Sequence, residues 1–411
     1  MTDVLARLSE PSAQEDPYPT YAWLRAHDPV SWSGQGKVYV LSRHADIKWA
    51  FNSPDLRAPE PEQLSTLVPR ANDHPSLRLL LRTLPMNNPP THTRLRRLVQ
   101  RDFTAQRVNG IRESVEQACD QSLDNIVTRL RDGEIVDIHS DFSRTLAMSV
   151  IADLLGVPEA DRPALAALVV RMLVVTTPGV PAERLADADS ASAEVEEYFA
   201  ALAKQRRQCP EQDLISALVS AHANDPDQLS DSELMTMIWA LWLSGFETSA
   251  AGIDTALIAM VHHPEHTDRL AGSRTDVVAF VSEALRHQSP TMLTGVFRIA
   301  ARELEIGGVR IPAGTDIRML TASANRDPAA FPDADRFDPS RNSAAAVTFG
   351  HGIRYCLGAN LGLMEISTAL RLLYTRCPGL TLADGAVRRH SLTLRAFDRL
   401  PVALAGTASG A

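Results

Sequence analysis

One of the four cysteines, Cys356, lies in a glycine-rich loop that leads into an apolar, helix-like segment. Residues 349–358 read Phe-Gly-His-Gly-Ile-Arg-Tyr-Cys-Leu-Gly. The N-terminus of a helix favours a thiolate, because its unpaired amides and its macrodipole stabilise negative charge. Gly350 and Gly358 permit tight turns and the close approach of a flat ligand. A thiolate placed in this way suits axial ligation of haem iron; the alternative is an ordinary buried thiol in a turn.

A second group of reactive side chains interrupts a long apolar helical pattern at residues 244–249, Ser-Gly-Phe-Glu-Thr-Ser. Gly245 costs a helix about 1 kcal/mol relative to alanine. The Thr248 hydroxyl can hydrogen-bond back to the carbonyl of Ser244 and loosen the helix. We therefore expect a groove that has room for a small ligand, into which Glu247 and Thr248 deliver protons. The alternatives are a polar interruption that faces solvent and a glycine used for helix packing.

Two further pairs of ionisable residues have helical spacing. His92 and Arg96 lie at i and i+4 on one side of a helix that is expected to begin after Pro89-Pro90. Glu283 and Arg286 lie at i and i+3 on one helical face. In isolation, the first pair is typical of a solvated basic face. The second pair is then typical of a surface ion pair worth less than about 1 kcal/mol.

Together these segments resemble the cytochrome P-450 family of haem-thiolate monooxygenases, in particular its soluble bacterial type. The four motifs occur in the family's order: His92-x-x-x-Arg96, the oxygen-binding segment at 244–249, Glu283-x-x-Arg286 and the cysteine loop. The resemblance covers about residues 16–403. It implies a mainly α fold with small peripheral β-sheets, described for the family as a helix-rich triangular prism. We expect a single domain over residues 1–411, with loose termini.

The resemblance also implies the roles of individual residues. Cys356 would be the axial metal ligand of a haem b group, and Thr248 and Glu247 would be the catalytic residues that manage protons during dioxygen activation. Other cofactor contacts are implied for His92, Arg96, Arg298 and Arg354 at the haem propionates, and for Ser244, Gly245, Phe349, Gly350 and Gly358. Glu283 and Arg286 would be structural, pairing with the downstream loop 331–339, and needed for haem incorporation.

The implied reaction inserts one oxygen atom from O2 into an apolar small molecule. By family analogy the substrate pocket includes segments 77–86 and 172–180, and its walls are mostly aliphatic. The individual lining residues are Met86, Leu173, Ala240, Leu243, Met292, Leu293, Val296 and Leu394. Such a pocket suits a natural-product intermediate of polyketide or terpenoid type, as in secondary metabolism. All of these residues are also typical of an ordinary core, which is the alternative.

Two other classes of function stay open at this point. One is a haem-thiolate enzyme that performs epoxidation, ring formation, aryl coupling or peroxide-driven oxidation instead of hydroxylation. The other is a non-catalytic haem sensor. The intact Glu247–Thr248 pair favours dioxygen use, because peroxide-driven members of the family tend to lose the alcohol.

Composition and charge argue against several classes of protein. The net charge of −9 argues against nucleic acid as the main partner. The chain has no run of about 18 apolar residues, so we expect no membrane span. The first ten residues lack the apolar stretch of a signal peptide. Cys119, Cys209, Cys356 and Cys377 are scattered, without a CxxC pair or a disulfide-like framework. We therefore expect a cytoplasmic protein.

The chain has no flavin-binding or ferredoxin-like segment, so the resemblance implies separate electron donors. We expect a ferredoxin and a ferredoxin reductase to supply the electrons, and the enzyme itself to be a monomer. Arg94, Arg97 and Arg101 are spaced three and four residues apart, and they would form a basic stripe that steers an acidic ferredoxin. A merely solvated helix face is the alternative.

The elements that must position these residues follow from sequence periodicity. Ser230 and Glu233 form a capping box that begins the longest helix, and this helix should continue to about His263, where Pro264 ends it. Further helices are predicted at 115–130, 146–155, 165–173, 195–206 and 361–374. Strands are predicted at 38–41, 304–312 and 316–320, and the tail 391–405 is predicted to be extended.

Overall fold

The structure, a computed structural model, describes residues 3–60, 63–64, 67–176, 180–224 and 229–405. Residues 177–179 of the expected pocket segment and both chain ends lie outside this description. The chain divides into two compact units. The first unit comprises Met1–Leu56, Val108–Ala147 and Glu247–Ala411, and the second comprises Arg57–Arg107 and Met148–Phe246.

The longest helix runs from Asp231 to His262 and is 32 residues long, or about 48 Å at 1.5 Å per residue. Its capping box is present: the Glu233 amide donates to Ser230 Oγ at 3.3 Å, and the Ser230 amide donates to Glu233 Oε2 at 2.9 Å. The predicted start and end of this helix are therefore confirmed. The helix is continuous α-helix through 244–249, so the loosening expected there is not observed.

The first unit is built mostly of helices. Gly252 of the long helix packs against Ile366, and a Cβ added at this glycine would lie 2.5 Å from Ile366 Cδ1. The predicted helices at 115–130 and 361–374 lie inside observed ones. The helices of this unit are Val4–Leu8, Pro11–Glu15, Tyr18–His27, His44–Asn52, Arg112–Arg131, Asp268–Ala271, Arg274–His287, Thr321–Ala324 and Ala359–Arg376.

Short strands among the described residues form small sheets. The largest sheet has the order Val30–Ser33, Val38–Leu41, Asp316–Met319, Ile299–Ala300, Leu56–Arg57. A three-stranded sheet has the order Val136–Asp137, Pro401–Leu404, Leu380–Leu382. Two hairpins pair Leu304–Ile306 with Val309–Ile311, and Val387–Arg388 with Phe397–Arg399. Strands near 38–41 and 316–320 are therefore confirmed, and the predicted tail contains two strands.

The single strand predicted at 304–312 is wrong, because the chain reverses in its middle. Gly307 and Gly308 adopt φ angles of +57° and +79°, and the flanking residues Ile306 and Val309 pair across the turn. Two successive residues with positive φ are typical of the tight turn that suits a two-residue hairpin. The pair of glycines therefore makes a hairpin where the apolar alternation alone favoured a continuous strand.

The second unit contains the helices Pro75–Arg82, Thr91–Val99, Arg162–Met172, Ala182–Gln208 and Leu214–Asn224. Ala105–Gly110 and Arg144–Leu155 cross the division between the units. The helix predicted at 195–206 begins much earlier than expected, at Ala182. Its first half buries small residues such as Ala188, Ala191 and Ser192, which give only a weak hydrophobic periodicity.

The described residues thus form a mainly α fold with small β-sheets, as predicted. One apolar core cluster of the first unit joins the largest sheet to the neighbouring hairpin, with Leu41, Ile317 and Met319 of the sheet and Ile311 of the hairpin completely buried. In the part of the chain that the structure describes, no helix combines the length and the apolar character needed to cross a membrane.

Candidate active site

The cysteine loop in the first unit presents Cys356 just before the helix Ala359–Arg376, with its side chain exposed. The Cys356 amide donates to the carbonyl of Phe349 at 2.8 Å and closes the loop. Gly350 and Gly352 have φ angles of +73° and +68°, a region that favours glycine. At Gly358, no described heavy atom lies within 4 Å of an added Cβ. The loop therefore leaves open space near the sulfur.

Three arginines of the same unit, Arg298, Arg318 and Arg354, form a cluster of positive charge. Arg298 is only 3% exposed, and burial together with the charges of Arg354 and Arg318 lowers the pKa of Arg298 to about 9. Asp316 is already shared, since it accepts from Arg318 Nε at 2.7 Å and from the Arg298 amide at 3.1 Å. An anionic group bound beside these guanidinium groups would be stabilised by their positive charge. The residues therefore fit a cofactor with carboxylates, such as the propionates of haem.

In the second unit, His92 and Arg96 lie one turn apart on the helix Thr91–Val99, as their spacing predicted. His92 is buried, and Arg96 is half-buried. The helix begins directly after Pro90, because proline can occupy a helix start without the loss of an internal hydrogen bond. The structure thus places an imidazole and a guanidinium on one side of this helix.

Arg94 of the same helix does not extend an exposed basic stripe, as the sequence had suggested. Its Nη2 donates to Glu233 Oε1 at 2.6 Å, and its Nη1 donates to Glu233 Oε2 at 3.2 Å. This bidentate pair compensates the charge of Arg94. Of the expected stripe, only Arg97 and Arg101 remain as exposed cations.

Gly245 has a packing role that the sequence left open as an alternative. A Cβ at this position would lie 2.8 Å from Ile151 Cδ1, which belongs to the helix Arg144–Leu155. Glycine therefore permits close approach of two helices in the second unit. Ser244 is exposed, and its hydroxyl donates a long bond, 3.5 Å, to the carbonyl of Leu241. Thr248, one turn further along the helix, is exposed as well.

Glu247 in the first unit is buried and lies between two arginines that sequence reasoning missed. Arg389 Nη1 donates to Glu247 Oε2 at 2.7 Å, and Arg144 Nε lies 3.4 Å from Glu247 Oε1. Neither arginine is near Glu247 in the sequence. The only local signal is that a buried carboxylate on an apolar helix requires a cationic partner.

A second buried acid, Glu365, lies in the helix that follows the cysteine loop. It is 1% exposed, and burial raises its pKa to about 8, although a hydrogen bond with Ser249 opposes this shift. Ser249 directly follows Thr248 on the long helix. Glu365 was missed because its helix was interpreted only by its apolar periodicity; a glutamate between Met364 and Ile366 is the signal that was available.

Glu283 and Arg286 connect the helix Arg274–His287 to the loop at 331–339. Arg286 Nη1 donates to the carbonyl of Ala334 at 3.0 Å, and the Asp338 amide donates to Glu283 Oε1 at 2.9 Å. The polar atoms of Glu283 and Arg286 thus bind the backbone of a loop that lies about fifty residues later in the sequence.

The residues expected to line a substrate pocket are distributed over both units. In the first unit, Met292 and Leu293 belong to a hydrophobic core cluster with Val40 and Leu320, as the core alternative held. The Met292 amide donates to the carbonyl of Thr393 at 2.9 Å, which brings the segment containing Leu394 alongside. Val296 and Leu394 are half-buried. In the second unit, Met86 and Leu243 are buried, and Leu173 and Ala240 are half-buried.

The family model of cytochrome P450 matches residues 80–272 and 275–378, so the chain belongs to the cytochrome P450 family. It is 44% identical over 414 residues to cytochrome P450 BJ-3 of Bradyrhizobium diazoefficiens, covering 98% of this chain and 96% of that protein. It is 37% identical over 415 residues to 6-deoxyerythronolide B hydroxylase of Saccharopolyspora erythraea, covering 97% and 98%. Among solved structures, cytochrome P450 PksS of the bacillaene polyketide synthase of Bacillus subtilis has a TM-score of 0.84 at 26% identity, covering 98% and 100%.

The protein is therefore an oxidoreductase, a cytochrome P450 monooxygenase. Membership of the family brings a haem-thiolate cofactor, electron supply from a redox partner and an apolar substrate.

Proposed function

We propose that the protein is a haem b monooxygenase that inserts one oxygen atom from O2 into an apolar natural product of polyketide or terpenoid type. The observation that carries the proposal is the exposed Cys356 before a helix, in a loop whose Arg354 adds to the buried positive charge at Arg298. When bound, the haem supplies O2 activation, and its thiolate ligand favours O–O cleavage. Side chains of the protein hold the haem and the substrate and deliver protons.

In this proposal, the residues that would hold the cofactor are those that the family resemblance implies. Cys356 would bind the haem iron through its thiolate, and the glycines of its loop would allow the flat ring to approach. His92, Arg96, Arg298 and Arg354 would bind the propionates, and the ring would be bordered by Ser244, Gly245, Phe349, Gly350 and Gly358. We further propose that residues 1–411 act as one P450 domain; the family match, which runs through both compact units, supports this.

The axial ligand is tested by the absorption spectrum of the reduced protein with carbon monoxide. Thiolate ligation predicts a strongly red-shifted Soret band, and Cys356→Ala should lose it. Cys119→Ala, Cys209→Ala and Cys377→Ala are matched controls and should keep it. A Soret band typical of histidine ligation in the folded wild-type protein would refute the assignment.

Thr248 and Glu247 are proposed to manage protons during dioxygen reduction. The Thr248 hydroxyl holds a proton on Oγ1 near the site of dioxygen reduction. The Glu247 carboxyl group replaces this proton after its transfer. Thr248→Ala should therefore keep substrate binding but divert reducing equivalents from NAD(P)H to peroxide. Thr375→Ala changes an exposed threonine of another helix and should have no such effect. Unchanged coupling of NAD(P)H consumption to product in Thr248→Ala would show that the chemistry does not need this alcohol.

The substrate class is supported by the names of two similar proteins and by the aliphatic character of the expected pocket residues. Binding is measured as the change in haem spin state when a ligand displaces water from the iron. We expect 6-deoxyerythronolide B or another macrolactone of polyketide origin to produce this shift more strongly than a long-chain fatty acid. A response to the fatty acid alone would contradict the proposed class.

Electrons are proposed to come from an acidic ferredoxin and its reductase, and Arg97 and Arg101 to steer the ferredoxin. Charge steering weakens with ionic strength. Reduction should therefore slow with rising salt, and also in Arg97→Glu and Arg101→Glu. Arg310→Glu, a charge reversal at a residue whose side chain is 78% exposed on the hairpin of Leu304–Ile306 and Val309–Ile311, is the control. Reduction rates that change neither with salt concentration nor in Arg97→Glu and Arg101→Glu would refute the docking role. Monomeric state and cytoplasmic location remain predictions.

A further inference from the structure

An ion pair of the first unit lies beside Arg298, on the strand Asp316–Met319. Arg318 Nε donates to Asp316 Oδ2 at 2.7 Å. The two residues are two positions apart, so their side chains share one face of the strand. The side chain of Arg318 is 13% exposed and that of Asp316 is 2% exposed. Water and salt therefore screen the charges of this pair less than those of a surface pair.

Both members of the pair are attached to the segment that carries Arg298. The Arg298 amide donates to Asp316 Oδ1 at 3.1 Å, and the Ile317 amide donates to the carbonyl of Arg298 at 2.8 Å. The Arg318 guanidinium lies over the ring of Phe297, 4.0 Å from the ring centroid, in a cation–π contact. The strand thus fixes the pair against the backbone of Arg298 and against the residue that precedes it.

The two charges of the pair act on the Arg298 guanidinium in opposite directions. Arg298 is buried, and the charge of Arg318 lowers its pKa more than the charge of Asp316 raises it. The pair therefore adds a net positive potential at this guanidinium. Because Arg298 is also proposed to bind a haem propionate, the same potential would act on the edge of the bound haem.

We propose that Asp316 and Arg318 are positioning residues that set the reduction potential of the haem, with Arg318 favouring the reduced state and Asp316 opposing it. Reduction adds one electron, so a nearby positive charge stabilises the reduced state and raises the potential. A higher potential makes electron transfer from the redox partner more favourable. The inference rests on the propionate placement at Arg298 in the proposed function.

The test measures the one-electron reduction potential of the haem-loaded protein by spectroelectrochemical titration. Arg318→Gln removes a positive charge, so it should decrease the equilibrium constant for reduction about tenfold, which lowers the potential by about 59 mV. Asp316→Asn removes a negative charge, so it should increase this constant and raise the potential. The double variant Asp316→Asn/Arg318→Gln should lie between the two single variants.

The directions of these shifts separate an effect of charge from an effect of structure. If the pair served only to hold the fold, both single variants would break the same contact and would shift the potential in the same direction or leave it unchanged. Either result would overturn the proposal. Arg318→Lys keeps the positive charge and should keep the wild-type potential. If Arg318→Gln does not fold, a potential that Asp316→Asn fails to raise overturns the proposal by itself.

Arg302→Gln is the matched control for the loss of a positive charge near Arg298 in the sequence. Arg302 Nη2 lies 2.7 Å from Asp55 Oδ2, and the Arg302 side chain is 67% exposed. Water and salt screen exposed charges, so this variant should leave the potential unchanged. A shift in Arg302→Gln as large as that in Arg318→Gln would overturn the specific role of the buried pair.

Haem binding by the apoprotein separates failure of this inference from failure of the proposed function. Arg298→Gln should weaken haem binding about tenfold or more, the expected cost of a lost charge-assisted bond, measured as haem transfer to apomyoglobin. If Arg298→Gln changes neither haem binding nor the potential, the propionate placement is refuted, and this inference with it. If Arg298→Gln responds while Asp316→Asn and Arg318→Gln keep the wild-type potential, only the role of the pair is refuted.

Discussion

Arg286 and Glu283 form a completely buried side-on ion pair, in which Nε donates to Oε2 at 2.7 Å and Nη2 donates to Oε1 at 2.8 Å. The remaining nitrogen of Arg286, Nη1, donates to the carbonyls of Asn325 at 2.7 Å and Ala334 at 3.0 Å. Removal of the Glu283 carboxylate would leave the Arg286 guanidinium buried without its ion-pair partner, whereas Glu283 also has Arg341, whose Nε lies 3.5 Å from Oε1. The pair therefore holds the connection between its helix and the downstream loop.

We expect Glu283→Gln to lower the free energy of unfolding by about 3–5 kcal/mol, the cost of breaking a buried ion pair. Urea unfolding followed by circular dichroism measures the loss. Glu134→Gln, which breaks the exposed pair between Arg129 and Glu134, should cost less than about 1 kcal/mol. A loss of similar size in both variants would contradict the role of the buried pair.

Glu365 should make stability fall with rising pH. Burial raises its pKa to about 8, from an ordinary value near 4.5, so the folded protein holds a proton that the unfolded chain releases. The stabilisation is complete below about pH 4.5 and is lost as pH rises toward 8, with a slope of up to about 1.4 kcal/mol per pH unit. Glu365→Gln should flatten this slope in urea unfolding between pH 5 and pH 8. A slope equal to that of the wild type would show that Glu365 is ionised when folded.

His287 should make the stability of the protein fall as the pH is lowered. Burial, reinforced by the charges of Arg326 and Arg286, lowers the pKa of His287 to about 3, and its Nε2 donates to the carbonyl of Asp335 at 2.9 Å. The unfolded chain takes up a proton below about pH 6.5, and the folded one does not. Stability is therefore lost as pH falls from 6.5 toward 3, by up to about 1.4 kcal/mol per pH unit.

His287→Gln should reduce this acid sensitivity, measured as the difference in unfolding free energy between pH 7 and pH 5. His390→Gln changes an exposed histidine and serves as the control. Equal acid sensitivity in all three proteins would contradict the prediction.

Gly245→Ala should destabilise the second unit by about 1–3 kcal/mol, because its Cβ would lie 2.8 Å from Ile151 Cδ1. Ile151→Val removes that methyl group and should recover part of the loss in the double variant. Gly362→Ala is the matched control in another helix, where no described heavy atom lies within 4 Å of the added Cβ. It should be neutral or stabilising by up to about 1 kcal/mol. Thermal unfolding of Gly245→Ala, of the double variant and of Gly362→Ala shows whether the contact with Ile151 or helix propensity governs the effect of the added Cβ.

The sequence by itself determined the features that depend on short-range spacing. The capping box of Ser230 and Glu233 begins the long helix where predicted, and Pro264 follows its end, because these signals act on neighbouring backbone groups. The one-turn spacing of His92 and Arg96 also follows directly from helical geometry. The motifs and their order were sufficient to predict the family and the mainly α fold, which the comparisons confirm.

Only the tertiary structure decided the partners of charged and small residues. Glu247 pairs with Arg389, 142 positions away, and Arg94 pairs with Glu233, 139 positions away, and no local pattern links these residues. The sequence left open whether Gly245 makes room for a ligand or permits helix packing, and the structure places Ile151 of another helix beside it. A buried charge or a missing side chain indicates that some complementary neighbour exists. Which residue fills that place depends on how distant segments pack, and this is why spacing along the chain could not predict it.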